Sequence, residues 1–344
     1  MIPRSTIARV AIVGALLLAA IVMLLWRGPE WSLVADAFSA VEWRWIFAAI
    51  GLNLLSVICR AQAWRTVVAQ ALQDLTPPFG RIFSAFAIGL LANAVLPART
   101  GELVRVAVLT RRFPRGRGYT ATLLGTVFTH RLFDVIPAML LVVYVLLTAK
   151  IPDWALPSLA IAVAIGGILL VLALITSRLR TPVVEELSRL RRLLAMARVG
   201  LEVLRSPVAA AVAISFQCLG WLLQLFSVWV AMRAFGIDAP LPAAGLVLLL
   251  MNVATIFPLW PGNIGLLQAA VALPLRSYGV PYATGFAYGL GLQMLEMSVG
   301  VGVGLVFLAR EGLSFATLKK MPGQTEAPLR VVTEDDEPAR ARSA

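Results

Sequence analysis

The sequence predicts an all-α polytopic membrane protein, with about six full transmembrane helices plus two re-entrant helical hairpins in an inverted repeat. A conventional count would give eight helices. Three observations carry this reading. Of the 344 residues, 60% are hydrophobic and only 14% charged, with a mean hydropathy of +0.86; a soluble domain holds about 25% charged residues. Several apolar runs reach the ~18 residues that a span requires. The basic residues cluster between those runs, as the positive-inside rule expects of cytoplasmic segments.

That clustering also explains the net charge of +12. It reads as membrane topology, so no nucleic-acid partner is expected. Cys59 and Cys218 both lie in apolar segments without metal-ligand spacing and read as packing residues. The single histidine, His130, excludes a multi-histidine metal site. No metal and no cofactor is expected.

The elements follow in order. Ala8–Leu25 is long enough to span and lacks an obvious small-residue cleavage site, so it reads as a retained helix. Arg4 and Arg9 place its start in the cytoplasm. The Trp-rich "EWRWIF" (Glu42 to Phe47) suits an outer interface. Trp45–Ile58 and its continuation return to "RAQAWR", where Arg60 and Arg65 read as anchors at the inner interface, with phosphate contact as the alternative. Ile82–Leu96 then enters from the cytoplasm, but about 15 residues of helix reach only roughly 22 Å, short of the ~30 Å hydrocarbon core. The basic cluster from Arg111 to Arg117 requires the chain to be back inside. The economical solution is a re-entrant hairpin: in along Ile82–Leu96, a turn at Pro97–Gly101, and back along Glu102–Thr110.

Tyr119–Thr148 crosses outward and is long enough to be tilted. Trp154–Thr176 returns. Residues 182–205 are Arg-rich with Leu at helical spacing and read as an amphipathic helix on the inner leaflet. Pro207–Ala231 crosses outward. Ala243–Phe257 enters from outside, turns at "PLWPGN" (Pro258 to Asn263), and Ile264–Leu275 goes back. Ala283–Leu308 returns to the cytoplasm. Residues 1–310 form a single membrane domain, and 311–344 read as a cytoplasmic, largely disordered tail. Both termini are cytoplasmic.

The two hairpins are related in sequence. Pro97-x3-Gly101 matches Pro258-x3-Gly262 at an offset of 161, and "RLFD" (Arg131 to Asp134) lies against "QMLE" (Gln293 to Glu296) at 162. The repeats run over about 45–149 and 207–309. One hairpin enters from each side, so the repeats are inverted. Inverted repeats with broken helices near the midplane are a signature of secondary transporters, whose site lies where the halves meet.

Arg99, Glu102, Arg105, His130, Arg131, Asp134 and Glu296 sit within or beside apolar runs, where an ionisable side chain costs roughly 2.5–3.5 kcal/mol at a helix centre. Glu102 and Arg105 share a helix face, as do Arg131 and Asp134. In the functional reading, Arg99, Arg105 and Arg131 bind an anion, most naturally a phosphate, while Glu102, Asp134 and Glu296 hold the arginines or carry protons. In the structural reading, these are ion pairs staking the hairpins together. His130 is either a proton relay or a local hydrogen-bond donor. Asn93 and Asn252, each shortly before a hairpin proline, are expected to cap backbone groups freed at the turns. The Gly-rich "SVGVGVGL" (Ser298 to Leu305) allows close helix packing.

"NAVLPARTGELVRVAVL" followed by "HRLFD" resembles the lysylphosphatidylglycerol synthase transmembrane region family, also described as flippase-like domain proteins. "FPLWPGNIGLLQAAV" resembles its second motif. The resemblance covers about residues 8–310 and carries the family pattern onto Asn93, Pro97, Arg99, Gly101, Glu102, Arg105, Arg131 and Asp134. His130 departs from it, since relatives often have an acidic residue there. Bifunctional relatives add a soluble aminoacyltransferase domain, which does not follow Leu308 here. The resemblance therefore implies lipid translocation in a bacterial cytoplasmic membrane, with a phospholipid or a polyprenyl-phosphate carrier as cargo. An enzyme is not expected: a lipid phosphatase would show several His with Ser and Lys, and carboxylates for a catalytic metal are few. The alternative is a non-catalytic membrane partner of a glycosyltransferase or other envelope-lipid enzyme.

Overall fold

The computed structural model describes residues 14, 29–72, 75–96, 100–113, 119–157, 159–161, 164, 167–168, 206–256 and 263–325. Among them, every extended regular element is an α-helix. In chain order these are α1 Trp31–Ser39, α2 Trp43–Ala71, α3 Phe79–Val95, α4 Gly101–Thr110, α5 Tyr119–Thr148, α6 Pro207–Ala234, α7 Leu241–Ile256, α8 Leu266–Leu275, α9 Tyr282–Arg310 and α10 Phe315–Thr325. Short 3-10 turns lie at Asp153–Ala155 and Arg276–Tyr278.

Four helices, α2, α5, α6 and α9, are long and apolar enough to cross a membrane. At 1.5 Å per residue, their 28–30 residues extend roughly 42–45 Å, the thickness of a bilayer with its headgroups. The chain is a multi-pass membrane protein. By contrast, α3 and α7 have 17 and 16 residues, and α4 and α8 have 10 each; none of the four reaches across the hydrocarbon core. The expected spans at Ala8–Leu25 and, for the most part, Trp154–Thr176 lie outside the described residues. So do the amphipathic stretch 182–205 and residues 326–344.

Two elements were not anticipated. α1 precedes the Trp-rich segment and packs on α9, with Trp31 edge-on to Phe286 at 5.8 Å. The tail, expected to be largely disordered from 311, instead begins with α10. This helix packs on α4, and its Leu318 and Met321 are buried. Tertiary burial of an apolar face supplies what an 11-residue helix lacks in intrinsic stability.

The short helices form two hairpins. α4 folds back along α3. A Cβ on Gly89 would lie 2.9 Å from the Gly101 carbonyl oxygen and 3.0 Å from the Arg105 Cβ. The missing side chains at Gly89 and Gly101 are therefore what lets the arms approach. α8 likewise folds back on α7, and the Asn263 side-chain amide donates to the Ala254 carbonyl (3.1 Å). The most extensive helix contact is α2 with α6. Each hairpin then packs on a long helix of the other half: α3 on α9, and α7 on α5. In the glycine-rich stretch, Gly304 does the packing work, since a Cβ there would lie 2.5 Å from that of Leu91.

The apolar packing falls into two clusters. One gathers α7, α8, the first half of α9 and the second halves of α5 and α6. The other gathers α3, α4, the second half of α2, the first half of α5 and the second half of α9. The long helices run from one cluster to the other, and polar side chains are concentrated where they pass between them.

Candidate functional site

The polar layer sits at the midpoints of the long helices. The midpoint of α2 is residue 57, that of α9 is 296, and those of α5 and α6 fall next to 134 and 221. Arg60 is three residues past its helix centre, about 4.5 Å along the axis. Asp134, Trp221 and Glu296 are at theirs. This corrects the reading of Arg60 as an interface anchor: α2 continues to Ala71, so Arg60 lies deep. Arg65 is nearer the helix end.

The site builds up from the first hairpin. Asn93 Oδ1 accepts the Gly101 N–H (2.8 Å), satisfying one of the free donors at the start of α4. Glu102 follows in the first turn. Its carboxylate pairs with Arg105 at 2.6 Å, one helical turn on, and with Arg131 of α5. Arg131 also reaches Asp134 at 3.2 Å. Asp134 in turn accepts hydrogen bonds from two residues of α6, Gln217 Nε2 and Trp221 Nε1 (2.8 Å). Arg131 thus stands between two carboxylates, one of them held by the other half of the molecule.

On the opposite wall, an Arg60 guanidinium N–H donates to Gln224 Oε1, and Gln224 Nε2 donates to Glu296 (3.2 Å). The Arg60 guanidinium lies 5.3 Å from the Trp221 ring centre. A cavity of about 650 Å³ separates the walls and is lined by Arg60, Asn93, Glu102, His130, Arg131, Asp134, Gln224, Asn252 and Glu296, among others. It draws on both hairpins and all four long helices. Three arginines (60, 105 and 131) face three carboxylates (102, 134 and 296), so the described charges of the site balance.

Of the residues singled out from the sequence, Glu102, Arg131, Asp134 and Glu296 line this one cavity. Arg105 is placed differently. It does not line the cavity. Its guanidinium lies behind Glu102, 4.7 Å from the Trp64 ring centre and 5.4 Å from that of Phe86, and its side chain is 4% exposed. Among the described residues its one ion pair is with Glu102, at 2.6 Å. Asn252 bonds the Leu248 carbonyl of its own helix (2.8 Å), and the turn it was expected to cap lies outside the described residues. At the described end of that turn, Asn263 bonds the Ala254 carbonyl and Gln268 accepts the Gly265 N–H (2.6 Å). His130 packs edge-on to Phe86 at 6.0 Å, with no hydrogen-bond partner for Nδ1 among the described residues. Arg99, Pro97, Pro258 and Gly262 lie outside the described residues.

The sequence reading kept phosphate contact by Arg60 only as an alternative, and it missed the α6 stripe of Gln217, Trp221 and Gln224. A signal existed. Those three residues are spaced i, i+4, i+7, which puts them on one face of an otherwise apolar span.

The model of the lysylphosphatidylglycerol synthase transmembrane region matches residues 7–304. The chain belongs to this family. The match takes in both hairpins and all four long helices, so the polar layer described above is a feature of this chain's lysylphosphatidylglycerol synthase transmembrane region. No curated protein and no solved structure matches the chain.

Proposed function

We propose that this protein is a lipid transporter of the bacterial cytoplasmic membrane, not an enzyme, and that it moves a phosphate-bearing lipid through the cavity between its two halves. The carrying observation is the cavity itself, a charged and amide-rich chamber at mid-helix depth in an apolar molecule. Ionisable groups at such depth mark substrate and ion pathways. The cargo is a phospholipid or a polyprenyl phosphate, whose shared chemistry is a phosphate oxyanion. Guanidinium groups match that geometry.

The two halves are read as inverted repeats. α2–α5 and α6–α9 follow the same order of long helix, two short arms and long helix. Ser56 donates to the Gly220 carbonyl, and Arg60 to Gln224, both at a separation of 164 residues. That is also the separation of the starts of α2 and α6 (Trp43 and Pro207). These contacts join positions two to three residues from the 161–162 offset of the sequence repeat, and contact between near-equivalent positions is what a two-fold axis between α2 and α6 produces. The hairpins are then re-entrant, one from each side, with both termini in the cytoplasm.

Arg60 is the headgroup ligand in this reading. Arg105 and Arg131 are already held by carboxylates, whereas Arg60 has no ion-pair partner among the described residues and lines the cavity. The test is reconstitution into phosphatidylglycerol/phosphatidylethanolamine vesicles. One arm follows a headgroup-labelled phospholipid and the other a polyprenyl phosphate. Protein-dependent movement of either cargo, lost in Arg60→Ala, is expected and distinguishes the two. Movement of neither contradicts the proposal.

A further inference from the structure

The three carboxylates of the cavity are not equivalent. Glu102 pairs with Arg105 and Arg131. Asp134 pairs with Arg131 and accepts two further hydrogen bonds from α6. Glu296 has no cation within ion-pair distance among the described residues, and its one hydrogen bond comes from the neutral amide of Gln224. It lies at the midpoint of α9. That same amide accepts from Arg60, the guanidinium without a carboxylate. The unpaired acid and the unpaired base of the site are therefore joined through one side chain.

We propose that Glu296 is a proton-binding residue that competes with the lipid phosphate for Arg60, so that anion binding in this cavity is coupled to protonation. A lone carboxylate away from bulk water is costly as an anion. It is stabilised either by a proton or by the field of Arg60. When Glu296 takes a proton from cavity water, Arg60 loses one of the two carboxylates whose field acts on it, Asp134 being the other and itself paired with Arg131, and favours an incoming phosphate. When the phosphate leaves, Arg60 again stabilises the carboxylate and the proton is released to water. One proton moves each way and no other reactant is needed.

The surroundings fit this exchange. Among the described residues packed against α9, only α2 brings a charged side chain to the cavity wall beside Glu296, namely Arg60. α6 brings Gln224 and α3 brings Asn93, and α8 carries no ionisable residue. α1, with Asp36, packs near Phe286, three turns from Glu296. Across the cavity stand Glu102, His130, Arg131 and Asp134, the three charged residues among them already paired with one another or with Arg105.

The inference rests on the anion site proposed above, and the experiment separates the two. Binding of dihexanoyl phosphatidylglycerol to the purified full chain in detergent is followed by tryptophan fluorescence, since Trp221 adjoins Arg60. This phosphodiester keeps one negative charge from about pH 5 to about pH 9, so any pH dependence belongs to the protein. In the wild type, affinity is expected to fall roughly tenfold or more across that range. Glu296→Gln, a near-isosteric change that keeps an acceptor for Gln224, is expected to bind tightly at every pH. Parallel profiles for wild type and Glu296→Gln overturn the coupling while leaving the anion site standing. Absence of wild-type binding at any pH overturns the site, and the coupling with it.

Discussion

In the first half of the molecule, the returning hairpin arm α4 meets its long helix α5 through Glu102 and Arg131. In the second half, the equivalent arm α8 meets α9 through Gln268 and Gln293, two neutral amides 2.6 Å apart. In the proposed repeat, Arg131 and Gln293 are corresponding positions, 162 residues apart. The same joint is thus made once with charges and once without. An amide pair is enough to dock an arm on a helix in an apolar setting. An ion pair there carries a desolvation cost that its attraction offsets only partly. The comparison argues that the charges of the first half are not there for docking. They hold Arg131 half open to the cavity, with its side chain 51% exposed, where it can assist a ligand.

The largest expected effect tests that asymmetry. Arg131→Ala leaves Glu102 and Asp134 short of a counter-charge and is expected to cost about 3 kcal/mol, read as a lowered thermal midpoint in detergent. Gln293→Ala is expected to cost about 1 kcal/mol. Equal losses would break the comparison. The converse experiment sharpens it. The triple variant Glu102→Gln, Arg105→Leu and Arg131→Gln gives the first joint the neutral chemistry of the second without leaving the buried Arg105 unpaired. It is expected to stay folded but to lose lipid movement in vesicles. Retained movement would show that the charges serve docking after all.

Smaller effects come from the turns. Gly101→Val places carbon 2.5 Å from Asn93 Oδ1, and such overpacking costs about 1–3 kcal/mol. In the second hairpin, Gly265 has a φ of +91°. Gly265→Ala should cost about 1 kcal/mol through backbone strain. The smallest pair concerns the asparagines. Asn93→Ala removes the bond to the Gly101 N–H and should cost about 1 kcal/mol. Asn252→Ala loses the bond to the Leu248 carbonyl of its own helix, by itself worth only a few tenths of that; a loss as large as that of Asn93→Ala would show that Asn252 also caps the second turn. Chemical denaturation of the two variants, side by side, ranks them.

Much of this architecture was legible in the sequence. The bounds of α3, α4 and α5 follow from hydropathy runs punctuated by Pro97, Gly101 and the cluster after Arg111. Length suggested the hairpins, because α3 and α7, at 17 and 16 residues, fall short of the ~20 that a span usually takes. Arg60 was not legible because the positive-inside rule gives the sign of a segment but not its depth. "RAQAWR" reads as the end of a span, yet α2 runs six residues beyond it, to Ala71, which is eleven past Arg60. Arg105 was misread for a related reason. Spacing predicted its pairing with Glu102, but not that Trp64 and Phe86, from two other helices, would enclose it. α1 and α10 are short and owe their form to burial against α9 and α4, which no local pattern announces.

The most direct measurement is a structure in lipid nanodiscs containing phosphatidylglycerol, with the bound phosphate located. The account predicts phosphate within about 3 Å of the Arg60 guanidinium, inside the cavity between the hairpins. Lipid confined to the apolar outer groove of α6, along Val208, Val212 and Leu219, with the cavity holding only water, would contradict it.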